Sequence, residues 1–284
     1  MPRNVTAGLD GSPQSLTAAD WAAGEALLRD VPLRLVHAGP RSRWTDDMLR
    51  DARKAIARRH PGLDIGADRV DGDPVPVLLS AAGEDGLLVL GSRGTGGAAG
   101  FPAGSVALAV VAGSRSPVVL VRGGRRPEDE SRLPGAGAGA ASRRDVVLGL
   151  DSATPDPGVI AFAFDAASRR AARLRVVYGR RLSLPSDDNG GDLGAELHAE
   201  LTGDMHRAAS AVLEPWREKF PGVEVTEQAV IGRAGSHLVE ASHDASLLVV
   251  GRRPRRTPLA AAIGPVTHTV LHHATAPVAV VPHD

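Results

Sequence analysis

The segment NVTAGLDGS, residues 4–12, recurs as DVVLGLDS at residues 145–152. A second match aligns GEDGLLVLGSRG, residues 83–94, with HDASLLVVGRRP, residues 243–254. Internal repeats of this kind set the architecture before any single motif is interpreted. The chain has 284 residues, nearly twice the length of one ordinary domain. The sequence therefore predicts two similar domains in tandem.

The segment between the two copies is typical of a linker. It reads GGRRPEDESRLPGAGAGAAS over residues 123–142 and is rich in Gly, Pro, Ala and charge. We therefore expect a first domain at residues 1–122 and a second at 143–284. The second copy is longer, and we place its insertion in the polar, Gly-rich segment 181–194.

Composition excludes several classes of protein. The 33 basic and 33 acidic residues cancel, so no overall positive field would attract nucleic acid or an anionic membrane. The absence of Cys excludes disulfides, thiolate nucleophiles and Cys-ligated zinc, and we expect no metal site. The first 20 residues do not resemble a signal peptide, and no apolar run reaches 18 residues. We expect a cytoplasmic protein with neither nucleic-acid nor membrane partners.

Each copy alternates short apolar runs with longer helical patterns. Continuous apolar runs such as LLVL are typical of parallel strands that are covered on both faces. The predicted fold is α/β: two tandem doubly wound domains, each with a five-stranded parallel sheet of Rossmann-like type. In the first copy we predict strands at 5–9, 33–37, 63–70, 87–90 and 118–121, and helices at 13–29, 45–59, 74–83 and 104–113.

Ligands of such sheets bind outside the carboxyl ends of the strands, where the strand order reverses. The segment GSRGTGGAAGFPAGSV, residues 91–106, follows the fourth predicted strand. Glycines let backbone amides approach a ligand, and the helix that begins near Gly104 offers free N–H groups to a phosphate, with the Ser105 hydroxyl beside them. Alternatively, these glycines only shape a turn and Ser105 only caps the helix.

Asp10 ends the first predicted strand at the same edge of the sheet. Its carboxylate could accept hydrogen bonds from a ribose or from the edge of an adenine. Position alone is equally compatible with an Asp that caps the following helix.

The glycine spacing carries a resemblance. Residues 91–105 satisfy the G-2x-G-9x-G-(S/T) pattern of ATP-binding universal stress proteins, with Gly91, Gly94, Gly104 and Ser105 at its four fixed positions. The chain resembles a tandem, UspA-like member of that family, whose fold is of the adenine nucleotide alpha-hydrolase-like type. The resemblance implies ATP or another adenine nucleotide as ligand, with Mg²⁺, and a stress-response role. It implies that Asp10 and the backbone of Ala38 face the adenosine, and that ribose and phosphates are surrounded by Gly91, Gly94, Gly104, Ser105 and Val106.

The second copy departs from this pattern. Gly251 and Gly264 keep their places, whereas Pro254 and Pro265 replace the second Gly and the Ser. Asp151 matches Asp10, and Gly179 follows Tyr178 where the first copy has His37 and Ala38. Pro at a helix start is favourable, but a hydroxyl and a backbone N–H are lost. We expect a weak, altered or empty second site, beside a solvated arginine-rich loop at 252–256.

Three functions remain compatible with the sequence. The first is a nucleotide-binding regulatory protein with little or no hydrolysis, which is therefore not an enzyme. The second is an ATP-using enzyme of the related superfamily, although DGSPQS stands where such enzymes would need an SGGxDS loop. The third is an interaction scaffold without a ligand. A Walker A loop has Gly directly before its Lys. The two Lys residues of this chain are preceded by Arg53 and Glu218, so such a loop is excluded.

The last predicted strand of each copy, 117–121 and 277–281, is apolar and lies at a sheet edge. Unpaired edge strands are templates for another strand. The resemblance implies that last strands pair across a two-fold axis. We therefore expect the two halves of the chain to pair with each other in this way, or each edge to be covered separately by loops. Homodimer formation through other surfaces remains open.

Overall fold

The computed structural model describes residues 2–83, 85–92, 104–123, 144–151, 153–180, 195–253 and 263–283. Several parts of the sequence discussed above lie outside these ranges: Gly94, Pro254, the 181–194 insertion, and all of the predicted linker except Gly123. The first half contains β1 (Asn4–Gly8), α1 (Pro13–Arg29), β2 (Leu33–Ala38), α2 (Arg43–Arg59), β3 (Ile65–Val70), α3 (Pro74–Ala82), β4 (Gly86–Ser92), α4 (Ser105–Gly113) and β5 (Val118–Arg122). The second half contains β6 (Asp145–Leu150), α5 (Pro157–Arg170), β7 (Leu174–Arg180), α6 (Ala195–Lys219), β8 (Val225–Ile231), α7 (Ala234–Ala241), β9 (Ala245–Arg252), α8 (Pro265–His273) and β10 (Val278–Pro282).

The helix starts follow local capping chemistry. The Ser12 side chain accepts a hydrogen bond from the Ser15 backbone N–H at 3.2 Å, and Pro13 occupies the first turn of α1. At α2, the Ser42 side chain and Thr45 cap each other reciprocally. This capping box starts α2 at Arg43, two residues before the predicted start, because Ser42 is the N-cap.

The ten strands form one continuous sheet in the order β3-β2-β1-β4-β5-β10-β9-β6-β7-β8. All neighbouring strands within each half are parallel, which confirms a five-stranded parallel sheet in each half. The two halves meet where β5 and β10 pair antiparallel, with Val119 opposite Ala279.

Helices cover both faces of the sheet, as a doubly wound fold requires. On one face, α1, α2, α5 and α6 pack over a core that includes Leu35, Val89 and Leu148. On the other, α3, α4, α7 and α8 pack over Leu88 and Leu248. Both cores continue across the junction between the halves. No helix in the part of the chain that the structure describes is long and apolar enough to span a membrane.

A buried ion network joins the halves on the first face. Glu25 of α1 accepts hydrogen bonds from Arg29, at 2.6 Å, and from Arg170 of α5. Arg29 also donates to Asp165 of α5 at 2.8 Å, and Asp165 accepts another hydrogen bond from Arg169. The Glu25 and Arg29 side chains are each only 1% exposed. Although burial opposes its charge, Arg170 and Arg29 hold the pKa of Glu25 below its usual value.

Arginines also join the halves on the second face. Arg122, at the end of β5, donates to the backbone carbonyl of His272 in the last turn of α8 at 2.8 Å. Arg252, at the end of β9, donates to the carbonyls of Ala112 and Ser114 at the end of α4. Cations are favourable at helix C-termini, where carbonyls lack intrahelical partners. Each half therefore caps a helix of the other.

Replacing Glu25 with Gln is expected to lower the free energy of unfolding by about 3–5 kcal/mol, because it leaves buried guanidinium groups without their countercharge. The matched control is Asp68→Asn. Asp68 pairs with Arg34 on the surface, where both side chains are nearly half exposed, and its loss should cost about 0–1 kcal/mol. Urea unfolding of both variants measures the difference; equal, small losses would contradict a stabilising network.

Candidate functional site

The strand order reverses at β1, which lies between β2 and β4. The chain crosses from β1 to one side to form β2 and β3, and to the other side to form β4 and β5. The carboxyl ends of β1 and β4 therefore border the crevice in which ligands of doubly wound sheets bind. Asp10 follows β1, and Gly91 lies near the end of β4.

Asp10 organises the turn from β1 into α1. Its Oδ1 accepts hydrogen bonds from the backbone N–H of Ser12 at 2.9 Å and from the Ser12 hydroxyl at 2.6 Å. Partial burial would raise the pKa of this carboxyl, but the hydrogen bonds from Ser12 and Ser15 outweigh it and lower the pKa. The N-cap of α1 is Ser12 rather than Asp10. Asp10 thus remains an exposed, charged acceptor at the edge of the crevice.

Gly91 has a packing role. A Cβ at this position would lie 2.7 Å from the backbone carbonyl carbon and oxygen of Gln14, in the first turn of α1. Since atoms do not approach that closely, only Gly lets α1 lie against β4 here. Gly123, which follows β5, also lies against α1, because its Cβ would lie 2.4 Å from Gln14 Cγ.

Gly104, Ser105 and Val106 form the start of α4. Gly104 is the N-cap and provides no side-chain hydrogen bond to the first N–H groups. No atom of the described structure lies within 4 Å of a Cβ built on Gly104. Ser105 is exposed, and so is Val106, at 36%. As far as the described residues extend, the positive end of α4 is therefore accessible to an anion. Gly94, the remaining member of the predicted site, lies outside the described residues.

The side of the crevice beyond β2 carries an aromatic pair. His37 is buried, and its Nδ1 lies 2.8 Å from the carbonyl oxygen of Leu9, so this nitrogen carries the proton. Trp44, in the first turn of α2, lies edge-on to His37 with ring centroids 6.2 Å apart. Ala38 ends β2 beside them. Trp44 was not among the predicted site residues; the Ser42 cap signal just before it could have placed it at this edge.

The corresponding aspartate of the second half, Asp151, forms an exposed ion pair. Asp151 accepts hydrogen bonds from the Ala153 N–H at 3.1 Å and from the Thr154 hydroxyl at 3.0 Å. Arg253 donates to Asp151 Oδ2 at 3.2 Å. Arg252 is buried in the junction. The prediction of a solvated arginine-rich loop is therefore wrong for Arg252, which is only 7% exposed and donates to carbonyls of the first half. Arg253 is exposed, as predicted, although it is paired with Asp151. Residues 254–256 of this loop lie outside the described residues.

The glycines of the second half mostly serve packing. A Cβ on Gly179 would lie 2.9 Å from Val230, and one on Gly251 would lie 2.6 Å from His283. Gly264 resembles Gly104: it is the N-cap of α8 and has open space where a Cβ would point. Pro265 occupies the first turn of α8.

Tyr178 stands where the first half has His37. It is buried, and its hydroxyl lies 3.0 Å from His206 Nδ1 and donates to Glu227 at 3.4 Å. Burial and the nearby Glu227 carboxylate raise its pKa to about 12. The second half has thus replaced a residue at the crevice edge with one that belongs to a polar cluster beneath α6.

Comparison with known proteins agrees with the geometry. The model of the universal stress protein family matches residues 1–51, 40–122 and 142–282. The chain belongs to the universal stress protein family. Universal stress protein Rv2005c of Mycobacterium tuberculosis is 30% identical, over 97% of this chain and 96% of its own length. Universal stress protein Rv2623 of the same organism is 29% identical, over 97% and 95%.

A solved structure of the family has the same fold. The universal stress protein from Archaeoglobus fulgidus DSM 4304 covers 100% of both chains with a TM-score of 0.66, at 16% identity. The tandem doubly wound arrangement is therefore shared by a family member of equal extent.

The two glycines that begin and end the motif should respond differently to alanine. Gly91→Ala is expected to lower the free energy of unfolding by about 1–3 kcal/mol, because its Cβ overlaps the backbone of α1. Gly104→Ala meets no atom and should cost less than about 1 kcal/mol, the difference between Gly and Ala at an N-cap. Urea unfolding of the two variants tests this; equal losses would contradict the assignment of Gly91 to packing.

Proposed function

We propose that the first half binds ATP or a related adenine nucleotide and that the protein acts as a regulatory member of its family in the stress response. The observation that carries this proposal is the open N-terminus of α4, preceded by the complete glycine pattern of ATP-binding family members. Free N–H groups and the helix dipole favour phosphate at this position. Mg²⁺ belongs to the proposal as the ion that accompanies the phosphates.

The roles of individual residues follow from their places. The Gly104 and Ser105 backbone would contact phosphate, with the Ser105 hydroxyl as an additional donor. Asp10, charged and exposed at the end of β1, would accept hydrogen bonds from ribose or adenine. Ala38, at the end of β2, would border the adenosine. Gly91 supports the site indirectly, by setting α1 against β4.

The second half is proposed to bind nucleotide weakly or not at all. Arg253 occupies the carboxylate of Asp151, so this group would have to break an ion pair before it could accept a ligand's hydrogen bond. Pro265 has replaced the serine whose hydroxyl adds a donor in the first half. Gly264 alone leaves this helix start open.

We propose that the protein binds its nucleotide without rapid turnover and is not an enzyme. Phosphoryl transfer requires positioned positive charge and an oriented nucleophile. The glycine motif, residues 91–106, contains no Lys, and the sequence assigns no arginine to the γ-phosphate. These residues therefore fit regulation by binding better than an ATP-using enzyme.

Valine at Gly104 is expected to weaken ATP binding more than about tenfold, because a branched side chain would fill the space through which phosphate reaches the N–H groups of α4. Ser105→Ala removes one donor and should cost about 2- to 12-fold. Gly264→Val, at the equivalent start of α8, is the matched control and should leave the affinity unchanged. Calorimetry measures all three; wild-type affinity in Gly104→Val would refute the site.

Purified protein is expected to hydrolyse ATP at well below about 1 per second, whereas typical phosphoryl-transfer enzymes reach roughly 1–100 per second. Release of phosphate from ATP with Mg²⁺ measures the rate. The Gly104→Val variant controls for a contaminating ATPase, since contaminant activity would be unaffected. A rate in the enzymatic range that Gly104→Val abolishes would favour the ATP-using enzyme.

The halves are proposed to remain associated in solution through β5, β10 and the ion pairs beside them. A protease site inserted within residues 123–142 allows the chain to be cut after folding. The two fragments should co-elute in size-exclusion chromatography at micromolar concentration without denaturant. The same cut in Glu25→Gln should weaken their association, and separation of the wild-type fragments would contradict the proposal.

A further inference from the structure

Trp44 differs from the other two tryptophans of the chain. Trp216 stacks on Phe164, with centroids 6.2 Å apart, and Trp21 packs against the core. Trp44 is 58% exposed and does not belong to either core cluster. A large aromatic surface left in water costs free energy that burial would recover. Its exposure therefore calls for an explanation other than packing.

Trp44 is also held in place. Its Cη2 and Cζ2 atoms lie 2.9 Å from the position of a Cβ on Gly11, so the ring rests directly on the turn after Asp10. Gly11 has a positive φ of 81° and, having no Cβ, leaves room for the indole. The buried His37 also meets the indole, with an interplanar angle of 77°. The Ser42 and Thr45 capping box fixes the backbone on both sides of Trp44.

We propose that Trp44 is the surface on which the base of the bound nucleotide stacks, and this inference rests on the proposed function. A pre-positioned indole beside the charged Asp10 provides a flat apolar face next to a hydrogen-bond acceptor. A purine nucleoside has the complementary chemistry, with an aromatic face and donors on its base and ribose. The open start of α4, at the carboxyl edge of the same sheet, is left for the phosphates.

A ligand that lacks a base distinguishes stacking on Trp44 from a purely structural role of this residue. Inorganic tripolyphosphate carries the charge of the ATP phosphates but cannot stack. If Trp44 contacts the base, its removal should weaken ATP and adenosine while leaving tripolyphosphate unaffected. If Trp44 only covers the turn after Asp10, its removal should change all three ligands alike or none of them.

The experiment compares Trp44→Ala, Trp44→Phe and, as the matched control, Trp216→Phe in the full chain. Each variant is titrated with ATP, adenosine and tripolyphosphate by calorimetry, and with ATP by tryptophan fluorescence. Trp44→Ala should bind ATP about 5- to 150-fold more weakly, the range that corresponds to one base stacked on one aromatic ring. Trp44→Phe should retain most of the affinity. ATP should quench fluorescence in wild type and Trp216→Phe but not in Trp44→Phe.

The outcomes separate this inference from the function on which it rests. Unchanged ATP affinity in Trp44→Ala, in a protein whose Gly104→Val variant has lost binding, overturns the role of Trp44 and leaves the nucleotide site intact. Equal loss of ATP and tripolyphosphate in Trp44→Ala also overturns it, since the base would then not be involved. A wild-type protein that binds none of the ligands overturns both proposals.

Discussion

The antiparallel pairing of β5 with β10 is the constraint on which the rest of the molecule depends. Each half ends in an apolar strand at the edge of a parallel sheet, where unpaired backbone groups would otherwise face solvent or another chain. Pairing the two edges satisfies both and makes the cores continuous. This pairing also fixes the relative direction of the strands in the two halves. Because the strands of one half run antiparallel to those of the other, their carboxyl ends point in opposite directions. The two crevices therefore face away from each other and cannot share one ligand.

The charges beside this junction specify how the halves meet. A buried ion pair is costly to desolvate, so the Glu25 network is weak evidence of extra stability compared with an apolar contact of the same shape. Its geometry is nevertheless demanding, since Glu25 must meet Arg170 while Arg29 meets Asp165. On the opposite face, Arg122 and Arg252 each reach carbonyls of the other half. A shifted register would leave these groups buried without partners, so the network favours a single alignment of the two sheets.

Local signals were enough to predict most of the fold. Apolar runs and helical periodicity place every strand and helix of the first half within a few residues of its observed bounds, and the start of α2 differs because Ser42 forms a cap. The roles of the residues in the candidate site were harder to predict from the sequence. A glycine spacing is identical whether a glycine faces a ligand or a neighbouring backbone, and only the structure shows that Gly91 contacts Gln14 whereas Gly104 faces open space. The pairing of Arg253 with Asp151 and the exposure of Trp44 depend on contacts between distant segments, which no local pattern encodes.

The two halves separate the requirements of folding from those of binding. Gly91 and Gly251 occupy equivalent positions, and a Cβ on either would meet atoms of a neighbouring segment. At Gly91 these atoms belong to the backbone of α1, whereas at Gly251 they belong to the His283 and Val159 side chains. Ser105 is exposed at the start of α4, and its counterpart Pro265 occupies the first turn of α8, where Pro is favourable. Gly264 is the exception, since none of the described residues would contact its Cβ, but Gly remains better than Ala at an N-cap. Of the groups that differ between the crevices, Arg252 is used by the junction, where it donates to carbonyls at the end of α4. The exposed Asp151–Arg253 pair lies within the second half. The second crevice can therefore carry the Asp151–Arg253 pair without loss to the fold that both halves share.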